Sequence, residues 1–198
     1  FIFTGLAFAV AFHARLFNIG AEGQATLGGL GVAIACLYLP WPHWSLALIA
    51  ASLGGAAFGA AWAFVPAWLQ ATRGSHIVIT TIMFNFIAAA LLNYLLVNVM
   101  KPPGMMEPAT ATFPASVHLP TFQDMFATEA TPLFRGSPAN VTFFVALLAC
   151  LVIWLLIYRT RLGYEIRAQG HSETGARYAG MRPVPTVVAA MLISGALA

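Results

Sequence analysis

The polar residues with the most unusual surroundings in this sequence lie near its start. Asn18, Glu22 and Gln24 are separated by glycines and stand directly before an apolar run. Polar groups at membrane depth are tolerated only when they are buried in protein or line a wet cavity. Two interpretations stay open: a broken helix beside a translocation path, and a turn in water with Glu22 near Arg15.

A second set of polar side chains lies inside a long apolar run. Thr81 and Asn85 are one helical turn apart and share a face, which Phe84 and Phe86 flank. Such a face would suit a neutral solute with hydroxyls and ring faces. Hydrogen bonding between helices is the alternative. Together the two sets supply our candidates for the lining of a path: Asn18, Glu22, Gln24, Thr81 and Asn85.

A third stretch is basic. Five of the nine lysine and arginine residues lie within residues 159–182. We expect two short helical pieces there, broken by Gly170 and closed by Gly180, ahead of Pro183. A compact basic elbow between two membrane spans has the shape of a docking element. An ordinary cytoplasmic loop would explain the arginines but not the repeated glycines.

The composition excludes a water-soluble domain. Hydrophobic residues make up 60% of the chain and charged residues only 8%, whereas soluble domains carry about a quarter charged residues. The net charge of +3 is too small for a nucleic-acid footprint. The five histidines show no ligand spacing, so we expect no metal site. The sequence predicts an all-α fold, a polytopic transmembrane helical bundle.

Apolar runs define the membrane spans, each of which needs about 20 residues. We expect four full spans, the first of them short, at about residues 28–39, 45–69, 77–100 and 140–158. Two further runs look like parts of additional spans, at residues 1–12 and 183–198. We therefore interpret residues 1–198 as a fragment of one longer permease-like transmembrane domain.

Two sequence features refine these spans. The prolines and tryptophans between Pro40 and Trp44 mark the first turn, because proline breaks helices and tryptophan suits the membrane interface. The small residues of Gly55-x-x-x-Gly59 predict close packing of one span against its neighbours.

The arginines also predict the orientation. Residues 101–139 are rich in Pro, Thr, Ser and Ala and form a predicted extramembrane loop. By the positive-inside rule residues 159–182 are cytoplasmic. Alternation then places residues 101–139 outside and both Arg15 and Arg73 inside, so every short arginine-bearing loop falls on the cytoplasmic side.

The single lysine is also informative. Pro102 follows Lys101, so the phosphate-binding pattern G-x-x-x-x-G-K-[ST] does not occur in these residues. If ATP drives the protein, another subunit binds the nucleotide. We expect no catalytic residue and no bound cofactor in this chain.

Three stretches, in order along nearly the whole chain, resemble a known family: residues 17–24, 74–88 and 159–180. They are similar to the permeases of bacterial ABC importers, in the branch that handles ribose-like sugars and nucleosides and is related to the branched-chain amino-acid permeases. The Asn-Ile-Gly-Ala-Glu-Gly-Gln form of residues 18–24 favours the nucleoside members. His76 departs from the acidic residue expected there in those members.

The resemblance implies a machine in the bacterial cytoplasmic (inner) membrane that works by alternating access. Two permease subunits in the lipid bilayer would join two ATPase subunits, which bind ATP and Mg²⁺, and an external solute-binding protein. Residues 163–180 would be the loop that couples the permease to the ATPase, and its candidate residues are Gly163, Arg167, Gly170, Ala176, Arg177 and Gly180. Thr174 and Gly175 depart from the Glu-Ala-Ala-x-x-x-Gly of the wider family, whereas Ala176 and Gly180 match.

A different class is the alternative. An ion- or proton-coupled carrier, or a channel, would use Glu22 as its coupling group. Such carriers usually place several ionisable residues at membrane depth, and Glu22 is the one candidate that this sequence offers.

Overall fold

The regular elements in the described part of this protein are helices. The computed structural model describes residues 1–126 and 139–198; the predicted-loop residues Glu129 and Arg135 lie outside them. In chain order the α-helices are α1 (Ile2–His13), α2 (Ala21–Tyr38), α3 (Trp44–Arg73), α4 (Ile77–Leu95), α5 (Phe122–Phe126), α6 (Thr142–Arg159), α7 (Arg161–His171), α8 (Glu173–Tyr178) and α9 (Pro183–Leu197). A short π-helix (Leu96–Met100), called the π-turn below, continues α4, and a short 3-10 helix (Ala115–Val117) precedes α5. The all-α prediction is confirmed.

Within residues 1–126 and 139–198, three helices are long and apolar enough to cross a membrane. They are Trp44–Arg73, Ile77–Met100 and Thr142–Arg159, which match three of the four predicted spans. Helices α1 and α9 are shorter apolar helices, at the positions of the two partial spans. The chain is therefore that of a multi-pass membrane protein.

Helix α2 differs from the prediction. It begins at Ala21, not near residue 28, and so carries Glu22 and Gln24 in its first turn. A side chain makes this early start possible, since the backbone N–H of Gly23 donates to Oδ1 of Asn85 at 2.9 Å. First-turn N–H groups have no partner within their own helix, so such a bond stabilises the helix start.

The arginine-bearing segments meet at one end of the bundle, called the basic end below. A single apolar cluster there joins the last turns of α1, α3 and α6 to α7 and the first turns of α4 and α9, through residues such as Val10, Ala67, Ile77, Ile157, Ile166 and Val187. At the opposite end Phe113, Val117 and His118 share a small cavity with Cys36 and Ala47. Arg15, Arg73 and residues 159–182 thus lie at one end, and the described part of the long loop lies at the other.

Glycines bring the central helices into backbone contact. A Cβ added to Gly59 of α3 would overlap the carbonyl oxygen of Gly195 in α9, and one added to Gly31 of α2 would overlap that of Gly54. Gly55 packs against Val32 and the carbonyl oxygen of Gly28. The packing interpretation of the Gly55-x-x-x-Gly59 stripe is confirmed, because small residues let helices approach this closely.

The basic elbow forms a helical hairpin, α7 and α8. The predicted break at Gly170 is wrong by two residues: Gly170 lies inside α7, and the break falls at Ser172, whose Oγ accepts from the Gly175 N–H at 3.0 Å and caps α8. The predicted end at Gly180 is confirmed. Gly180 has a φ of 79°, and the Met181 N–H bonds the Ala176 carbonyl at 3.0 Å, which closes a Schellman motif.

Candidate translocation site

The site begins with a reversal of the chain after α1. Arg15 adopts a left-handed backbone with a φ of 57°. Its N–H donates to the Phe12 carbonyl, and the Leu16 N–H donates to the Ala11 carbonyl at 3.0 Å. This is the same motif that ends α8, made here without glycine, at a conformational cost of about 1–2 kcal/mol. Leu16 is buried in the apolar cluster of the basic end, which offsets that cost. The chain can therefore turn back into the bundle.

The segment after this reversal, residues 16–20, is called the returning segment, and it reaches the middle of the bundle. A Cβ added to Gly59 would lie 3.5 Å from the carbonyl oxygen of Gln24. Gly59 stands near the centre of α3 (Trp44–Arg73), about 22 Å from either end at 1.5 Å rise per residue. The start of α2 therefore lies at half the height of a helix that is long enough to span a membrane.

Asn18 organises a buried hydrogen-bond cluster at that height. Its Nδ2 donates to Oε1 of Gln24 and to Oγ of Ser194, both at 2.9 Å, and its Oδ1 accepts from the Gly20 N–H at 2.9 Å. Ser194 Oγ donates onward to the Ala7 carbonyl at 2.7 Å. Asn18, Gln24 and Ser194 are at most 3% exposed. We call these three residues the buried cluster; it ties α1, α2 and α9 together.

Asn85 attaches α4 to the same place. Its Oδ1 receives the Gly23 N–H and its Nδ2 donates to the Ile19 carbonyl, both at 2.9 Å. Thr81, one turn earlier, is fully buried and bonds the Ile77 carbonyl of its own helix at 2.8 Å. A Cβ at Gly20 would lie 3.0 Å from that of Thr81, so α4 touches the returning segment directly. Asn85 therefore connects α4 to the start of α2 through hydrogen bonds, and Thr81 packs against the returning segment.

Glu22 differs from its polar neighbours because its side chain is exposed. Its carboxylate forms no ion pair or side-chain hydrogen bond within residues 1–126 and 139–198. The first turn of a helix favours a negative charge, but an unpaired carboxylate at membrane depth is costly unless water or a partner reaches it. Of the five predicted path residues, Glu22 is exposed and Asn85 half-buried, whereas Asn18, Gln24 and Thr81 are buried, each at most 3% exposed.

The predicted coupling residues also divide into two groups. Gly163, Gly170 and Ala176 are buried, Arg167 is half-buried, and Arg177 and Gly180 are exposed. A Cβ on Gly170 would overlap the carbonyl oxygen of His13, and one on Gly163 would overlap that of Leu156. These two glycines hold one side of α7 against α1 and α6. The surface of the hairpin that is open to another protein consists of the outer side of α7, with Tyr164, and of α8 with the turn after it.

Ser194 and the left-handed conformation of Arg15 were not predicted from the sequence. A lone serine beside Gly195 in an otherwise apolar helix is a weak signal, although buried serines in membrane helices usually bond a neighbouring helix. Arg15 has no local signal, since glycine or asparagine is the usual residue at a left-handed position.

Comparisons with known proteins identify relatives of this chain. Over its whole length the chain is 36% identical to the guanosine ABC transporter permease protein of Bacillus subtilis (strain 168), covering 54% of that protein. It is 34% identical to the glucose ABC transporter permease protein of Haloferax volcanii, covering 51%, and 30% identical to the nucleoside ABC transporter permease protein of Lactococcus lactis subsp. cremoris, covering 53%.

The chain spans about half the length of the curated relatives it matches. No solved structure matches it. The model of one protein family, described as the permease component of the branched-chain amino acid transport system, matches residues 1–198. The chain therefore belongs to the family of branched-chain amino acid transport system permease components.

Proposed function

We propose that this chain forms part of the membrane-spanning subunit of an ATP-driven importer and borders its path for a nucleoside or a simple sugar. The observation that carries this proposal is the exposed Glu22 carboxylate at half the height of the bundle, held in place by a fully bonded buried cluster. Relatives named for guanosine, nucleosides and glucose support a neutral solute rich in hydroxyl groups.

The residues of the site divide into two roles in this proposal. Glu22 and Asn85 border the path, where a carboxylate and an amide can bond the hydroxyls of a passing solute. Asn18, Gln24 and Thr81 are positioning residues that hold the start of α2 against α4 and α9. Alternating access would move these helices together. The carboxylate at the end of α2 would then change its exposure as the helices tilt.

The hairpin of α7 and α8 is the proposed coupling element. Arg177 and Gly180 are exposed on it, while Gly163 and Gly170 press it against α1 and α6. A hairpin joined to several spans through backbone contacts can pass a push from an ATPase subunit to the bundle. ATP and Mg²⁺ would bind to that subunit, and a second permease subunit and an external solute-binding protein would complete the assembly.

The proposal fixes an orientation in the bacterial cytoplasmic membrane. The basic end faces the cytoplasm and the long loop faces outward, by the positive-inside rule. In intact cells a membrane-impermeant thiol reagent should label Ser116→Cys, and it should label Ser172→Cys only after permeabilisation. Both serines are exposed. Labelling of Ser172→Cys in intact cells would reverse the orientation and remove the coupling role.

The function is tested by Glu22→Gln in the full-length permease. This change keeps the shape of the side chain and removes its charge, so the assembled complex should form normally while solute uptake falls at least about tenfold. The matched control is Glu107→Gln, since Glu107 is an exposed carboxylate of the long loop. It should leave uptake unchanged.

Two results would contradict the proposal. Normal uptake by Glu22→Gln would remove Glu22 from the path. Gradient-driven uptake in vesicles that contain the permease without any ATPase would instead identify an ion-coupled carrier.

A further inference from the structure

A basic cavity lies between the ends of α1, α6 and α7. Its volume is about 590 Å³, and its charged or ionisable lining consists of Arg15, Arg167, His13 and His171. Tyr158 and Phe12 supply the aromatic part of the wall, and no carboxylate lines it. The cavity is separate from the candidate path, which lies at the start of α2, half-way up the bundle.

The two arginines of this cavity have no counter-charge. Both ion pairs in the described parts of the chain are elsewhere, Arg161–Glu165 and Arg177–Glu173. Nε of Arg167 is buried and has no hydrogen-bond partner. Buried donors in folded proteins are nearly always satisfied, and two like charges around one space repel each other. An anion bound between the two guanidinium groups would offset this repulsion.

The cavity is held by the backbone and not by mobile loops. Arg15 projects from the left-handed turn that ends α1, and Gly170 presses α7 against the carbonyl of His13. The Arg167 guanidinium lies over the Tyr158 ring, 5.2 Å from its centre. His13 donates from Nδ1 to the Ala9 carbonyl at 2.7 Å, since a carbonyl only accepts. Its other ring nitrogen, Nε2, lies 3.5 Å from the Tyr158 hydroxyl.

The surroundings indicate a lipid. Tyr158 and Trp154 are exposed at the end of α6, where aromatic rings mark the interface between membrane and water. Farther from the basic end, α1 and α6 expose apolar side chains, among them Phe8, Leu151 and Leu155. Basic pockets between membrane helices at the cytoplasmic side bind the headgroups of anionic lipids.

We propose that this cavity binds the phosphate-bearing headgroup of an anionic lipid, with the acyl chains along the exposed faces of α1 and α6. Arg15 and Arg167 would bond the phosphate oxygens, because a guanidinium pairs two of its N–H groups with a phosphate. The site would tie α7, and through it the α7–α8 hairpin, to the adjoining leaflet. The proposal does not depend on the transported solute.

The test uses the full-length permease, assembled with its partners, in vesicles of phosphatidylcholine that contain a minor fraction of phosphatidylglycerol. After detergent extraction, native mass spectrometry measures the ratio of the two lipids that stay bound. Arg15→Asn removes one charge, and asparagine tolerates the left-handed backbone of that position. Arg73→Asn is the matched control, because Arg73 is exposed at the same end and does not line the cavity.

We expect the wild-type complex to retain phosphatidylglycerol selectively. Arg15→Asn should lower that selectivity about fivefold more than Arg73→Asn does, because Arg73 lies near the same surface without lining the cavity. Millimolar inorganic phosphate should fail to displace the lipid. A second variant, His171→Asn, should lower the selectivity in the same direction without any backbone strain, since His171 has no left-handed conformation.

Three outcomes would overturn the proposal. Equal selectivity in wild type, Arg15→Asn and His171→Asn would show that the cavity binds no lipid headgroup. Displacement by inorganic phosphate would assign the cavity to a soluble anion. Selectivity that appears in the isolated permease and disappears in the assembled complex would mean that another protein fills the cavity.

Discussion

The start of α2 and the α7–α8 hairpin use polar residues and glycines in opposite ways. At the start of α2, Asn18, Gln24 and Asn85 form hydrogen bonds to other segments of the chain, whereas the Glu22 side chain is exposed. In the hairpin, the glycines of α7 turn inward, and the exposed ion pairs Arg161–Glu165 and Arg177–Glu173 lie on the surface. Exposed ion pairs contribute little to stability. The comparison indicates that the first region holds the bundle together and that the second offers a surface to a partner.

The largest expected effect comes from the hairpin glycine that faces α1. Gly170→Val places a Cβ onto the backbone of His13, where neither side can move aside easily. We expect a loss of about 3 kcal/mol or more, seen as a large drop in the melting temperature of the full-length permease in detergent. Gly29→Ala is the control. Its Cβ meets nothing within 4 Å, so alanine should be neutral or slightly stabilising. Normal melting of Gly170→Val would mean that α7 is not anchored on α1.

A medium effect is expected from the buried cluster. Asn18→Ala leaves Gln24 and Ser194 without one of their partners, and each buried unsatisfied group costs about 1–3 kcal/mol. The melting temperature should fall by several degrees, and uptake should fall with it. Asn98→Ala is the control, since Asn98 is exposed and bonds the Tyr94 carbonyl of its own helix. If the two variants melt alike, the buried cluster does not hold α2 in place.

The smallest effect on stability is expected at Gly180, where the surroundings are open and the backbone is left-handed. Gly180→Leu should cost about 1–2 kcal/mol through backbone strain, with membrane insertion unchanged, and should lower solute-stimulated ATP hydrolysis and uptake together. Gly180→Asn tolerates the left-handed conformation better and is the matched comparison. Loss of coupling in a stable Gly180→Asn would show that the partner needs space at this residue, not merely the turn.

Several features could be predicted without the structure because their causes are local. Long apolar runs between charges determine where helices can cross a membrane, so α3, α4 with its π-turn, and α6 appear at their expected positions. Gly180 ends α8 as predicted because glycine adopts a left-handed backbone at little cost. The clustering of arginines at one end follows from the same alternation of spans.

Other features depend on residues that are far apart in the chain. Asn18 and Ser194 are 176 positions apart, and their bond decides that Asn18 supports the site from within. The start of α2 could not be located from its own residues, because Asn85 of another helix satisfies its first turn. Gly170 was expected to break a helix and instead packs α7 on α1.

The sequence by itself determined that this protein is a bundle of membrane helices with a basic end, because hydropathy and charge act through the solvent at each residue. Only the tertiary structure decided which polar groups are bonded, which glycines touch backbone and that Glu22 stays exposed beside a buried cluster. Those outcomes depend on distances between helices of a few ångströms, and small residues such as Gly59 and Gly195 allow the contact without encoding which helix will meet which.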